Sequence, residues 1–196
     1  ALRLGRGMAD EDIQIVMDET REEMEKSIKS LRIDLSKVRT GRANPALLDG
    51  LQVDYYGTPT PLQQLANLGA PDPRLIVISP YDKGALAGIE KAVLASDLGL
   101  TPSSDGKVVR IPIPPLTEER RKELVKHVHR LAEDHKVGVR EARRDALSMI
   151  KDLESEGTIP ADDRRREEKR IQALTDEHIK KIEEMQAAKE AEILQV

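Results

Sequence analysis

The side chains that could support catalysis or bind a metal are spaced unfavourably for either task. The chain has no Cys, which excludes thiol catalysis and cysteine-ligated metals. His127 and His129 stand two positions apart, so on a helix they face different sides and cannot share a metal ion. His135 and His178 fall on apolar stripes, where we expect hydrogen-bonded histidines inside a helix bundle. We therefore predict that the protein is not an enzyme and has neither a cofactor nor a metal site.

The basic residues are arranged more informatively. One group recurs at helical spacing and would form a stripe along one helix: Lys136, Arg140, Arg143 and Arg144. Two further groups precede and follow the middle of the chain: Arg39 with Arg42, and Arg120 with Arg121 and Lys122. Guanidinium groups bind phosphate oxygens in a bidentate manner and stay charged, so these side chains suit a nucleic-acid backbone.

The same arginines could instead form salt bridges inside a helix bundle. Glu133, Glu141 and Asp145 lie within reach of them on the same predicted helix. Binding of single strands by base stacking is disfavoured, because the chain has no Phe and no Trp. The arginines could still recognise a folded RNA or DNA through its shape and backbone. The residues alone do not decide between this role and salt bridges within the bundle.

The amino-acid composition restricts the kind of core and the class of protein to which these residues can belong. Of 196 residues, 35% are charged and 2% are aromatic, with a formal net charge of -4, so any core must be largely aliphatic. The sequence contains no run of 18 apolar residues, and no membrane span is predicted. Residues 1–7 precede a plausible start at Met8. We interpret them as a cloning remnant or an extension, with a cut transit peptide as the less favoured alternative.

Proline separates two kinds of sequence along the chain. Ten of the 11 Pro lie in residues 42–116, where 13 of 75 residues are charged, against 55 of 121 elsewhere. In the charged flanks, apolar residues recur at three- and four-residue steps, which predicts long helices. These helices should cover residues 8–40, run from Thr117 to Gly157, and begin again at Pro160.

The middle segment shows a different periodicity. Alternating or continuous apolar residues predict strands over 51–55, 74–79 and 107–111, and an amphipathic helix over 84–97. We therefore predict an α+β fold. Domain I is an elongated three-helix bundle over 8–41 and 117–196, and domain II is a small α/β domain inserted over 42–116. A permissive Gly41 and a stiff Pro114-Pro115 pair predict a hinge of limited range where the two connect.

Four segments resemble the bacterial ribosome recycling factor family. They are residues 38–45, 54–62, 96–100 and 112–122, and they follow the family's order and spacing within a match from about Met8 to Val196. The resemblance implies an L-shaped protein with a three-helix-bundle domain I and a β/α/β domain II. It also implies a translation factor that binds the large ribosomal subunit after termination. With elongation factor G and GTP, such a factor splits the ribosome into subunits and hydrolyses nothing itself.

The resemblance gives the basic residues a role. Positions where the family contacts ribosomal RNA are occupied by Arg39, Arg42, Arg121, Arg140 and Arg143, and Arg144 lies in the same stripe. The family's hinge falls at Gly41, Pro114 and Pro115. We therefore expect a cytoplasmic monomer whose partners are the large subunit and elongation factor G, with no membrane contact.

Two residues depart from the family pattern. Glu141 adds a negative charge inside the basic stripe, and Ala142 removes a branched side chain from the bundle face. The main rival hypothesis is a helical-bundle adaptor or chaperone that holds protein partners. A protein that binds the backbone of duplex DNA is a weaker third hypothesis.

Overall fold

The computed structural model describes residues 2–195, with side chains described from Gly7 onward. Five α-helices and six strands occur in this range: α1 (Leu2–Ser36), β1 (Gln52–Tyr55), β2 (Thr58–Pro61), α2 (Leu62–Leu65), β3 (Ala66–Asp72), β4 (Leu75–Pro80), α3 (Leu86–Ala95), β5 (Ser103–Ser104), β6 (Val109–Pro112), α4 (Glu118–Ser155) and α5 (Ala161–Leu194). The chain divides into two compact units. The helical unit holds the chain up to Val38 and from Glu123 onward, and the sheet unit holds Arg39–Lys122.

The helical unit is built from α1, α4 and α5, which turn their apolar stripes inward. The buried stripes are Ile13, Met17, Met24, Ile28, Leu31 and Leu35 of α1, Leu124, Val128, Val139, Ala146 and Ile150 of α4, and Ile171, Leu174 and Ile182 of α5. Full burial of one Leu, Ile or Met side chain contributes about 1.5–3 kcal/mol. This aliphatic packing confirms the predicted three-helix bundle.

The bounds of α1 and the end of the α5 stripe differ from the prediction. Helix α1 begins at Leu2 and ends at Ser36, whereas the sequence predicts a helix over 8–40. After Ser36 the amide of Val38 donates to the carbonyl of Leu35, a tighter turn that ends the helix. For the helix after Pro160, the three- and four-residue spacing of the sequence predicts an apolar stripe from Ile171 through Ile182 to Ala188. In the structure Ala188 is exposed, and Ile193 is buried instead. Alternating steps of three and four residues average about 3.5, slightly below the 3.6 residues per turn of an α-helix, so such a stripe drifts around a long helix and its last members are the hardest to place.

Close contacts and ion pairs hold the three helices in register. A Cβ atom added to Gly138 of α4 would lie 2.6 Å from Ser27 Oγ of α1, so glycine permits the close approach of these helices. His135 Nε2 of α4 lies 2.8 Å from Asp34 Oδ2 of α1. Between α4 and α5, Arg164 pairs with Glu154. The histidine predicted inside the bundle at position 135 therefore links two helices.

The sheet unit contains a four-stranded antiparallel sheet in the order β3-β4-β6-β5 and a separate β1-β2 hairpin. Its core is aliphatic, and the fully buried members are Leu48, Val53, Leu62, Ile76, Ile78, Ile89, Val93, Val109 and Ile111. Helix α3 packs closely on β1, since a Cβ atom at Gly88 would lie 2.7 Å from the carbonyl oxygen of Asp54. The predicted fold class, α+β with a helix bundle and a small inserted domain, is confirmed.

Three strands of the sheet unit are not predicted from the sequence: the two-residue β5, and the proline-containing β2 and β3. β2 contains Pro59 and Pro61, and β3 contains Pro71. Proline cannot donate to a strand ladder, which restricts it to edges and irregular positions. β2 pairs only with β1, and β3 is an edge strand whose register shifts between Gly69 and Asp72. Both strands therefore occupy the places where proline is tolerated.

Candidate nucleic-acid interface

Over residues 140–145, helix α4 places its basic and its acidic side chains on different flanks. Successive residues of an α-helix are rotated by about 100°, which places positions 140, 143 and 144 on one flank of α4 and positions 141 and 145 on the other. We call the first group, Arg140, Arg143 and Arg144, the basic flank. Glu141 and Asp145 line a cleft together with Glu23 and Lys26 of α1. Glu141, which the sequence places inside the basic stripe, therefore faces the α1 side of the helix.

The basic flank is not used for salt bridges within the bundle. Over the described side chains, no carboxylate pairs with Arg140, Arg143 or Arg144, whereas Glu133 pairs with Lys136. Arg140 and Arg144 are exposed, and Arg143 is partly buried. The Nε atom of Arg143 is buried without a hydrogen-bond partner, so the bundle does not satisfy this donor. The exposed side chains of Arg140 and Arg144 are therefore available to an anion from outside the chain, and Arg143 adds its charge to the same flank.

Lys136 does not belong to this surface, although helical spacing places it in the predicted stripe. Its side chain is buried, and its Nζ lies 3.0 Å from Glu133 Oε1 and 3.3 Å from Glu183 Oε1. Burial disfavours the ammonium, but hydrogen bonds to the two carboxylates raise the pKa of Lys136. The hydrogen bond from Lys136 lowers the pKa of Glu133. This charged group connects α4 to α5 and is structural.

Further basic residues lie near the basic flank, although they are not among the candidate binding residues predicted from the sequence. Lys126, His129 and Arg130 line a cleft between α4 and α5, together with Gln186 and Glu190. His129 Nδ1 accepts a hydrogen bond of 3.1 Å from Gln186 Nε2. The rotation of about 100° per residue places Lys126 and His129 on the side of α4 that carries Arg140 and Arg144. This helical phase was the sequence signal that could have found them.

The remaining predicted site residues lie in the sheet unit. Arg39, Gly41, Arg42, Pro114 and Pro115 line one pocket with about 430 Å³ of empty space. Gly41 has a φ of 74°, and a Cβ atom there would lie 3.2 Å from Leu116 Cγ. Arg121 does not line this pocket. It lies in the first turn of α4, where its amide donates to the carbonyl of Thr117.

The described residues were predicted to contain no metal site and no membrane span, and the following observations bear on both. His178 is buried, with its Nδ1 2.8 Å from the carbonyl oxygen of Leu174 and its Nε2 without a partner. No group of three or more His, Asp or Glu suited to a metal ion occurs in the part of the chain that the structure describes. None of the helices within residues 2–195 combines the length and apolar character needed to cross a bilayer.

Comparison with known proteins places this geometry in a family. The profile of ribosome recycling factor matches residues 31–194. The ribosome-recycling factor of Natranaerobius thermophilus is 53% identical over 178 residues, covering 91% of this chain and 97% of that protein. The corresponding protein of Bacillus subtilis is 52% identical over 181 residues, covering 92% and 98%.

Solved structures agree with the sequence relatives. A solution structure of the ribosome recycling factor has a TM-score of 0.76 and 38% identity, covering 94% of this chain and 98% of that chain. A second structure describes the Thermus thermophilus factor and Escherichia coli elongation factor G bound to the Escherichia coli post-termination complex. It has a TM-score of 0.65 and 48% identity, covering 93% of this chain and 99% of that chain. The chain therefore belongs to the ribosome recycling factor family.

Proposed function

We propose that this protein binds the large subunit of the post-termination ribosome and, with elongation factor G and GTP, splits the ribosome into subunits for reuse. The main support is the basic flank of α4, where three arginines lack carboxylate partners in the described structure and can therefore bind RNA phosphates. The relative whose structure includes elongation factor G on a post-termination complex supports the same partners for this chain. The protein acts as a translation factor rather than an enzyme, and the elongation factor hydrolyses the GTP.

The RNA-binding residues of this proposal are Arg39, Arg42, Arg121, Arg140, Arg143 and Arg144. Arginine binds phosphate oxygens in a bidentate manner and remains charged at every physiological pH. Each neutralised phosphate releases bound counterions, so affinity falls as salt rises. With about four phosphates neutralised, log affinity should fall against log salt with a slope of roughly -3 to -4.

The proposed hinge consists of Gly41, Pro114 and Pro115. Gly41 has a φ of 74°, a backbone conformation that glycine adopts without a steric penalty. Proline has a fixed φ, which limits the range of motion on the second connection. Domain II, over 42–116, would move on this hinge relative to domain I, over 8–41 and 117–196, when the elongation factor acts. The site of action is the cytoplasm, where the protein works as a monomer.

Light scattering of post-termination 70S ribosomes tests the proposal. We expect a scattering decrease that requires this protein, elongation factor G and GTP together, because subunits scatter less light than the intact ribosome. A mixture without GTP and a mixture without this protein are the controls. Absence of both splitting and large-subunit binding would contradict the proposal. It would favour an adaptor that acts on protein partners instead.

A further inference from the structure

All three aromatic residues of the chain lie in the sheet unit, outside its aliphatic core. Tyr56 and Tyr81 are 78% and 73% exposed, and Tyr55 is partly buried. Large aromatic side chains gain much free energy from burial, so exposing two of the three is costly. We call Tyr55, Tyr56, Tyr81 and the adjoining Asp82 the tyrosine cluster.

The backbone at Tyr56 is strained. Tyr56 and Gly57 form the two-residue loop of the β1-β2 hairpin, in which Tyr55 pairs with Thr58. Their φ angles are 50° and 82°, and Tyr56 is the one non-glycine residue with positive φ in the described chain. Two-residue hairpin loops with positive φ at both positions favour Asn, Asp or Gly at the first. A bulky aromatic residue is disfavoured there, and such strain tends to occur at functional positions.

The Tyr56 ring packs against Tyr55, which is itself hydrogen-bonded to Asp82. Successive side chains of a strand point to opposite faces, but the turn brings the Tyr56 ring against Tyr55, with centroids 4.6 Å apart and planes at 67°. The Tyr55 hydroxyl donates to Asp82 Oδ2 at 2.7 Å, and Gly84 N donates to Asp82 Oδ1 at 2.9 Å. A Cβ atom at Gly84 would lie 2.6 Å from the Tyr56 hydroxyl oxygen, so glycine leaves room for this ring.

The cluster carries more negative than positive charge. The amide of Gly84 and the hydroxyl of Tyr55 donate to Asp82 and lower its pKa, so the carboxylate stays ionised. Asp54, whose Oδ1 accepts from Gly57 N at 2.8 Å, is a second exposed acid, against one exposed lysine, Lys83. Tyrosine can also stack on RNA bases, but two carboxylates beside the rings repel phosphates. A cationic protein surface fits this charge, since arginine can stack on tyrosine and pair with a carboxylate.

We infer that the tyrosine cluster is the contact through which elongation factor G engages the sheet unit, with a basic side chain of that factor placed on Tyr56 and Asp82. Tyrosines held rigidly at an exposed surface lose little conformational freedom on binding and are frequent centres of protein interfaces. The inference rests on the proposed function, because it assigns the elongation factor a surface separate from the arginines that hold RNA.

The test replaces Tyr56 with Asn, the residue that this turn favours. Because Y56N relieves the strain, we expect a Tm that is unchanged or higher. Binding to isolated large subunits, measured by co-sedimentation, should stay within twofold of the original protein. The rate of splitting of post-termination ribosomes by elongation factor G and GTP should fall at least tenfold. Y81A should also slow splitting, whereas L94A, which removes an exposed apolar side chain of α3, should not.

The remaining outcomes of this experiment separate failure of the inference from failure of the proposed function. Splitting at the original rate by both Y56N and Y81A would overturn the inference and leave the proposed function intact. A parallel loss of large-subunit binding would show that the cluster contacts RNA, which also overturns it. If Y56N lowers the Tm, the splitting rate of Y81A decides whether the inference holds. The Tyr81 side chain is exposed, so its removal should not destabilise the fold. No splitting by the unaltered protein would contradict the proposed function and this inference with it.

Discussion

Arg143 and Arg144 are neighbours in the chain but have different surroundings. Arg144 is exposed, whereas Arg143 is partly buried and has a buried Nε without a partner. Arg143 therefore contributes packing of its aliphatic stem as well as charge. Substituting Arg144 tests the phosphate contact with less effect on the bundle.

For Arg144→Ala we expect about a tenfold loss of affinity for the large subunit, or about 1.4 kcal/mol. The salt slope should become shallower by about 1, because one phosphate contact is lost. Filter binding at several salt concentrations measures both. Lys29→Ala removes the same charge from the exposed surface of α1 and is the control. An unchanged slope for Arg144→Ala would contradict the phosphate contact.

Lys136 offers a prediction about pH. Hydrogen bonding to Lys136 lowers the pKa of Glu133, so this stabilisation is present above the carboxylate's unfolded pKa and is lost as pH falls through the folded value. The pKa of Lys136 is raised, so its stabilisation is present below the unfolded pKa and is lost as pH rises through the folded value. Lys136→Met should therefore lower the Tm near pH 7 and lower it less at pH 3. Equal losses at both pH values, measured by thermal melting, would contradict this account.

At the scale of elements, the contact between α1 and α4 depends on Gly138. Glycine inside a helix costs about 1 kcal/mol relative to alanine, and the sequence by itself marks this position as a weak point. The structure gives the compensating reason, because a Cβ atom would meet Ser27 Oγ at 2.6 Å. Gly138 therefore lowers the helix propensity of α4 but allows α1 and α4 to approach closely.

A double-mutant cycle separates these two effects. Gly138→Ala alone should change the free energy of unfolding little, because the propensity gain is offset by displacement of the Ser27 hydroxyl. In the Ser27→Ala background that hydroxyl is absent, so Gly138→Ala should stabilise the protein by about 1 kcal/mol. Urea denaturation of the four proteins provides the measurement. The same change in both backgrounds would show that the two residues do not interact.

At the scale of the whole molecule, function is proposed to depend on motion at Gly41. Gly41 and Gly106 both belong to the sheet unit and have φ angles of 74° and 85°. Alanine at either position should cost about 1–2 kcal/mol, because L-residues are disfavoured at positive φ. These two glycines share a positive φ, but one lies at the proposed hinge and the other in the turn before β6, so Gly106 controls for the backbone strain alone.

We expect both Gly41→Ala and Gly106→Ala to lower the Tm, Gly41→Ala somewhat more because its Cβ atom would also meet Leu116 Cγ at 3.2 Å. Gly41→Ala alone should slow ribosome splitting severalfold. Splitting rates from light scattering, at a temperature where both variants are folded, make the comparison. If both variants slow splitting equally, the effect is one of stability and Gly41 has no special role in motion.

The amino-acid sequence alone determined the long helices, helix α3, the aliphatic cores and the positions of three of the six strands. Periodicity shows which face of an element is apolar, and proline shows where regular structure is interrupted. The motifs around Gly41 and Pro114 also sufficed to indicate the family. These features are local, so they can be recognised without knowing which elements pack together.

Only the tertiary structure decided which charged residues are structural and which are free. Lys136 and Arg140 share a helical stripe, but α5 brings Glu183 to Lys136, while Arg140 has no carboxylate partner among the described residues. Likewise, Tyr55 meets Asp82 only because β1 and the segment after β4 come together. The partners of these side chains lie on other elements, so helical phase and local sequence do not identify them.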